Sequence, residues 1–236
     1  MITVATWNVL HRVHAENWCA ATVEHRPDES RRIAAITARL ARRGEQAIAL
    51  QEVSGDQLAD LRDALPKHSV HVLRYPRTPE PRRGETSLRD PREHLVLIVD
   101  GPAEQCAAEA FPDDPGKGLL AVRTGGVLVV ATHLSYDRRR PAQLARLRDV
   151  AAGSAEPAVL LGDFNTDRSA VADGLGPGFT VAEHPPGMPP TRPGGPGEES
   201  RDIDHVVVRG GSVESLVVED AEGLSDHNLV CARVRT

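Results

Sequence analysis

The chain is laid out as short aliphatic runs that each stop at an acid, an amide or a histidine. Runs of this length, bounded by turn residues, predict strands of a buried sheet rather than helices. Leu160-Leu161-Gly162-Asp163-Phe164-Asn165-Thr166 shows the pattern most clearly. Gly162 lets the backbone turn without a Cβ penalty. Residues two apart in an extended segment point the same way, so Asp163 and Asn165 are expected side by side at a strand's C-terminal edge. In open α/β sheets that edge is where sites are built. The same residues also suit a plain Asx turn. Recurrence of the pattern along the chain is what weighs for a site.

From the N-terminus, Ile2 to Trp7 predicts a strand that stops at Asn8. Residues 11–28 are polar and are expected to be irregular. Asp28-Glu29-Ser30 opens a helix with Ile33, Ile36 and Leu40 at helical spacing and five arginines, including Arg32, on the other face. Ala47 to Leu50 is a short buried strand ending at Gln51-Glu52. Ser54 caps a second helix bearing Leu58, Leu61 and Leu65. Strands are expected over 68–75 and His94 to Val99, separated by a Pro-rich loop from Arg74 to Arg92 that holds six arginines. Gly125-Gly126, between Leu119–Val122 and Val127–Ala131, marks a hairpin whose second strand ends at Thr132-His133-Leu134. Arg138, Arg139 and Arg140 precede a helix with Leu144 and Leu147. A long Pro/Gly-rich loop runs from His184 to Ser200. Asp204 opens the next strand, Gly210-Gly211 suggests a second hairpin, and Ser225-Asp226-His227 stands before a closing strand, Leu229 to Val234. This order predicts two packed mixed sheets with helices outside, an α/β (α+β) domain spanning residues 1–236, with no internal repeat.

Aromatic residues make up only 3% of the chain, so the core must be built from Val, Leu, Ile and Ala. The formal charge is −6 and the pI near 5.9, which disfavours non-specific polyanion binding overall. Cys19, Cys106 and Cys231 lack metal or disulfide spacing and are expected to be small buried hydrophobes. No run approaches the ~20 apolar residues of a membrane span. The short, uncharged N-terminus lacks a basic region and a cleavage site. A soluble, cytoplasmic monomer is expected.

The strand-edge polar set is Asn8, Glu52, His133, Asp163, Asn165, Asp204, Asp226 and His227. It is rich in oxygen donors, holds two histidines and has no cysteine. Such a set suits a hard cation, Mg²⁺ or Mn²⁺, and does not suit zinc. Asp204 within an aliphatic run calls for a partner, because a buried carboxylate is costly unless paired or metal-bound.

Trp7-Asn8, Gln51-Glu52, Thr132-His133-Leu134, Gly162-Asp163-Phe164-Asn165, Ile203-Asp204-His205 and Ser225-Asp226-His227, in this order, resemble the endonuclease/exonuclease/phosphatase superfamily with its deoxyribonuclease-I-like fold. The resemblance spans essentially the whole chain. It implies a four-layered α/β sandwich and metal-dependent phosphoester hydrolysis. It implies that Glu52 is the principal metal ligand, with Asn8 nearby and Asp226 assisting. It makes His227 the general base or acid, oriented by Asp204. Asp163 and Asn165 would position or activate water, and His133 and Asn165 would contact the scissile phosphate. Arg92-Glu93 is similar to the arginine-acid pair of the deoxyribonuclease branch, which makes Arg92 a phosphate contact. The chain departs from the pattern where Arg192, not an aromatic residue, follows Thr191.

Fold and motifs do not choose the phosphoester. The acidic charge and scarce aromatics favour a phosphomonoester or phosphodiester of modest size, with DNA or RNA as the alternative substrate and a non-catalytic binding protein as a third reading. The Arg74–Arg92 loop is either a solvated surface or a basic rim. Arg138 and its neighbours would hold a polyanion or a single phosphate. His11, His14 and Trp18 would either line the pocket or form a surface loop.

Overall fold

The parallel pairing of strands β1 (Ile2–Asn8) and β2 (Ala47–Ser54) sets the first sheet, and that of β7 (Val127–His133) and β8 (Ala158–Asp163) sets the second. Parallel neighbours need a crossover, supplied here by helices α1 (Arg12–Asn17), α2 (Ala21–His25) and α3 (Glu29–Leu40) in the first sheet and by α5 (Arg140–Ala152) in the second. The computed structural model describes residues 1–18, 20–195 and 197–236. The remaining elements are α4 (Gly55–Ala64), β3 (His68–Arg74), β4 (Glu93–Asp100), β5 (Glu104–Phe111), β6 (Asp114–Thr124), α6 (Arg168–Leu175), β9 (Phe179–Val181), β10 (Asp204–Arg209), β11 (Ser212–Glu219) and β12 (Leu229–Arg235).

The sheets have six strands each, ordered β11-β12-β1-β2-β4-β3 and β5-β6-β7-β8-β10-β9. Read in chain order, each sheet repeats one topology, with β11, β12 and β1 to β4 corresponding to β5 through β10. The repeat is one of topology and leaves no matching trace in the sequence. Each central strand buries both faces. Ile2 and Val4 of β1, Ala47 and Ala49 of β2, and Val159 and Leu161 of β8 fill the layer between the sheets. Ala5, Trp7, Ile48 and Leu50 face α3 and α4, while Ala158 and Leu160 face α5 and α6. The result is the expected helix–sheet–sheet–helix sandwich. Among the described residues no helix is long and apolar enough to cross a membrane.

Several local expectations are corrected. Most of residues 11–28 lie in α1 and α2, because His11 caps α1 and Val13, Ala15 and Thr22 pack inward. Gly210-Gly211 does not close a hairpin: β10 and β11 belong to different sheets, so this turn carries the chain from one sheet to the other. The solvent-facing strand β5 lacks the apolar pattern that would have marked it. Arg32 is buried rather than solvent-facing; its guanidinium binds Glu29 and the carbonyls of Val9, Leu10 and Leu224. Cys106 is exposed and Cys231 half-buried, and Cys19 lies outside the described residues.

Gly162 lies inside β8 rather than in a turn. Its φ is +152°, and a Cβ there would sit 2.0 Å from the Thr132 carbonyl oxygen of β7. That oxygen is backbone in a parallel pair and has nowhere to move. Gly162→Ala is expected to cost on the order of 3 kcal/mol, read as a lower urea midpoint; a midpoint equal to wild type would contradict this packing.

Candidate active site

Sheet register brings the polar strand ends together. In the second sheet His133 pairs with Asp163 across β7/β8, and Asp163 pairs with Asp204 across β8/β10, so three of the expected site residues stand in one row. In the first sheet Asn8 pairs with Gln51. β2 then bulges between Leu50 and Val53, and Glu52 inside the bulge has a φ of +59°. Bulges re-aim side chains, and a non-glycine residue at positive φ persists only where its surroundings over-determine it. The surroundings here are the His11 N–H, which donates to Glu52 Oε2 at 3.0 Å, and Asn8 Nδ2, which donates to Oε1 at 3.2 Å. Asn8 Nδ2 also lies 3.1 Å from Asp163 Oδ2, tying the two sheets at their ends. Its side-chain Oδ1 accepts from the Leu10 N–H, so Asn8 acts as a strut between two carboxylates.

The turn before β12 is bolted to the end of β1. Ser225 Oγ donates to the Asn8 carbonyl at 2.6 Å, and Trp7 Nε1 donates to the His227 carbonyl at 2.8 Å. His227 Nδ1 then lies 2.9 Å from Asp204 Oδ2, with Nε2 3.9 Å from Asp163 Oδ2. On the other side of Asp163, His133 Nε2 is 3.3 Å from the same oxygen and 4.0 Å from Glu52 Oε1. Lys117 contacts His133 Nε2. The groups form one chain: Lys117, His133, Asp163, His227, Asp204.

The electrostatics follow from this chain. Burial works against a charged His227, but Asp204, Asp226 and Asp163 outweigh it and hold its pKa up at about 10. Burial likewise opposes ionisation of Asp163, yet His133, His227 and Lys117 keep it well below the usual carboxylate range. Glu52 is held low in the same way by His14, His133 and Lys117. Beside it, His14 Nε2 lies 3.1 Å from the buried Glu93 carboxylate. His11, desolvated against the same cluster, is pushed down to about 4 and stays neutral.

Of the expected residues, Asn8, Glu52, His133, Asp163, Asp204 and His227 converge. Asn165 adjoins them by a different geometry from the expected one. β8 ends at Asp163, and Asn165, at φ +53°, donates its N–H to Asp163 Oδ1 in an Asx turn and its side-chain amide to the Leu134 carbonyl. Asp226 Oδ2 faces Arg192 at 3.1 Å, while its buried Oδ1 has no partner among the described residues. Arg92 pairs with Asp90 on the surface. Arg138 is exposed and makes no ion pair among the described residues. Neither arginine is brought among the carboxylates. The six arginines of the 74–92 loop are all exposed; Arg82 covers the exposed Trp18 ring and Arg77 faces Asp114. His11 and His14 do line the site, whereas Trp18 does not.

Sequence reading missed Glu93, Lys117 and the placement of Arg192. Lys117 was within reach of it: the hairpin pairs Thr124 with Val127, and counting back along that register sets Gly118 opposite His133. Glu93 was named only as the acid of the Arg92-Glu93 pair; the antiparallel pairing of β2 with β4, which sets Ser54 opposite Glu93, is what brings its carboxylate to Glu52.

The residues fit a hard divalent cation. Oxygen and nitrogen donors of His14, Glu52 and Glu93 lie within 4.8 Å of one another, as do those of Asp163, Asp204 and His227. Buried Asp204 Oδ1 and Asp226 Oδ1 have no protein donor among the described residues. Carboxylate-dominated sets of this kind are those of Mg²⁺ and Mn²⁺. A cavity of about 820 Å³ adjoins the cluster, lined by Tyr136, Arg140, Asn165, Thr191, Asp202 and Asp204 among others.

Comparisons agree with this architecture. An endonuclease/exonuclease/phosphatase family protein from Bacteroides vulgatus superposes with a TM-score of 0.71 at 20% identity, covering 99% of this chain and 98% of the other. TDP2 from D. rerio, solved with a single strand DNA product, gives 0.70 at 14% identity, covering 100% and 99%. A functionally unknown protein from Enterococcus faecalis V583 gives 0.70 at 17% identity, covering 99% of both chains. At these identities the likeness concerns the fold. No curated protein matches the chain by sequence. The model of the Endonuclease/Exonuclease/phosphatase family matches residues 5–227, and the chain belongs to that family.

Proposed function

We propose that the protein is a divalent-metal-dependent phosphoesterase that hydrolyses a phosphomonoester or phosphodiester of modest size. The observation that carries this reading is the buried Asp204–His227–Asp163 alignment facing Glu52 where the two sheets end. Phosphoryl transfer asks a protein for positioning and charge neutralisation rather than covalent help. A Mg²⁺ or Mn²⁺ ion held by Glu52, with Asp226 and the neighbouring carboxylates available, would supply a Lewis acid to a phosphoryl oxygen. The chain's own groups do the rest. Asp163, ionised and oriented by Asn8, accepts a hydrogen bond from the attacking water and aligns it. Asp204 fixes the ring of His227 through Nδ1, leaving Nε2 to the substrate. Held in its charged form, His227 offers a proton to a phosphoryl or leaving-group oxygen, the acid half of the acid–base role. His133 and the remaining N–H of the Asn165 side-chain amide would donate to phosphate oxygens, as the family resemblance implies.

Nucleic acid is the second reading, favoured by the fold shared with a protein solved with a single strand DNA product. The net charge of −6 and the internal pairing of Arg77 and Arg92 weigh against a broad phosphate-backbone surface.

With Mg²⁺ or Mn²⁺, a chromogenic phosphoester should be hydrolysed and supercoiled plasmid left closed; chelation, Glu52→Ala, His227→Ala and Asp163→Ala should each lower turnover by roughly 100-fold or more with unchanged circular dichroism. Nicked plasmid that depends on Glu52 would establish the nuclease instead, and wild-type turnover in either the His227 or the Asp163 variant would remove the site assignment. The pH profile tests the acid role. His227 is charged below its raised pKa, so kcat should fall on the alkaline side as that proton is lost. Asp204→Asn removes the main attraction that raises the pKa and should move this limb down towards neutral pH. A limb that stays in place would contradict the pairing.

A further inference from the structure

Arg192 stands on the His227 side of the cluster, and its position is set by several backbone and side-chain contacts. Thr191 Oγ1 accepts from both the Ile203 and Asp204 N–H groups at 2.9 and 3.1 Å. The Asn228 N–H donates to the Thr191 carbonyl at 2.7 Å, and Asn228 Nδ2 donates to the Pro190 carbonyl. Arg192 itself exchanges both backbone hydrogen bonds with Arg201. The loop is thus clamped between the start of β10, which carries Asp204, and the turn that carries His227. From this anchor the Arg192 guanidinium reaches Asp226 Oδ2 at 3.1 Å through one nitrogen, with the side chain still about one-third exposed (32%). One of its nitrogens is held, and the rest of its donor fork has no side-chain partner among the described residues. Partial burial works against its charge, and Asp226, Asp163 and Glu52 together outweigh that. At the opposite end of the cluster Lys117 stands against His133.

We infer that Arg192 is a substrate-binding residue that reads the charge of the phosphoryl group and, with Lys117 across the site, selects a terminal phosphomonoester over an internal phosphodiester. This deepens the phosphoesterase reading and rests on it. A terminal phosphoryl group carries close to two negative charges above its second pKa and exposes three oxygens, whereas a diester carries one charge and exposes two. A planar guanidinium with a fixed outer edge can bind two oxygens of the former in a bidentate fork. Asp226, on this account, holds Arg192 in place through Oδ2, which leaves its Oδ1 available to the cation.

4-Nitrophenyl phosphate and its methyl ester share a leaving group and differ in this one charge. With Mn²⁺ and above the second phosphate pKa, Arg192→Gln should lower kcat/KM for the monoester roughly 10- to 100-fold while changing the methyl diester by less than about 3-fold. Arg192→Lys keeps a charge for Asp226 and should recover part of the monoester rate only. Equal losses on both substrates, or no loss on either, would overturn the inference. Calorimetric titration of the full chain with orthophosphate and with dimethyl phosphate supplies a readout independent of turnover. The Gln variant should weaken orthophosphate about tenfold and leave dimethyl phosphate unchanged; unchanged orthophosphate binding would also overturn it. Should the wild-type protein hydrolyse neither ester, the phosphoesterase reading falls, and the orthophosphate titration still decides the role of Arg192. If the Gln variant does not fold, the Lys variant carries the same comparison, with an unchanged monoester-to-diester ratio as the contrary result.

Discussion

Four carboxylates, those of Glu52, Glu93, Asp163 and Asp204, crowd the volume where the two sheets end, and three of them are fully buried. Like charges about 5 Å apart repel by roughly 3 kcal/mol at an effective dielectric constant near 20. Burial adds a desolvation penalty to each. Such a cluster stays ionised only if cations and N–H donors are built around it. The structure supplies Lys117, His14 and His227 as cations, and the His11 N–H, the Asn165 N–H and the Asn8 amide as donors. A divalent ion, as proposed above, would complete the same balance. The need to surround these charges explains why polar groups remote in sequence converge on one end of the sandwich.

The sandwich makes that convergence geometrically inevitable once its register is set. Both sheets use a parallel central pair, and parallel strands end on the same side. β1 and β2 therefore bring Asn8 and Glu52 together, and β7 and β8 bring His133 and Asp163 together. The antiparallel neighbour β10 begins where β8 ends, which delivers Asp204 to the same level. Arg32 then locks the irregular connections: one buried guanidinium binds carbonyls from the end of β1 and from the turn ahead of His227. The fold and the candidate site thus share a scaffold, and of the four non-glycine residues at positive φ among the described residues, Leu10, Glu52, Asn165 and Glu222, two belong to the cluster itself.

Much of this was legible in the chain. Aliphatic runs ending at Asn8, Glu52, His133 and Asp163 marked the strands and the polar residues that converge at their ends, because strand ends and polar side chains coincide. The Gly125-Gly126 hairpin was read correctly, since its two arms pair in one sheet. Gly210-Gly211 has the same local signature but links two sheets, and nothing local distinguishes a hairpin from a crossing when both flanking strands are apolar. Arg32 looked like one of five surface arginines; its burial depends on carbonyls contributed by a turn nearly two hundred residues away. Arg92 and Arg138 were singled out by proximity to motifs in sequence, and their side chains turn to the surface instead. Asn165 was placed beside Asp163 for the wrong reason: an Asx turn, not strand alternation, sets it there.

The central claim is that this carboxylate cluster is a divalent-cation site. Anomalous diffraction from crystals grown with Mn²⁺ tests it without reference to any substrate. The account predicts a manganese peak at the Glu52 carboxylate that disappears in Glu52→Ala crystals of unchanged fold. Crystals with no manganese at the cluster, or with the same peak in the variant, would contradict it.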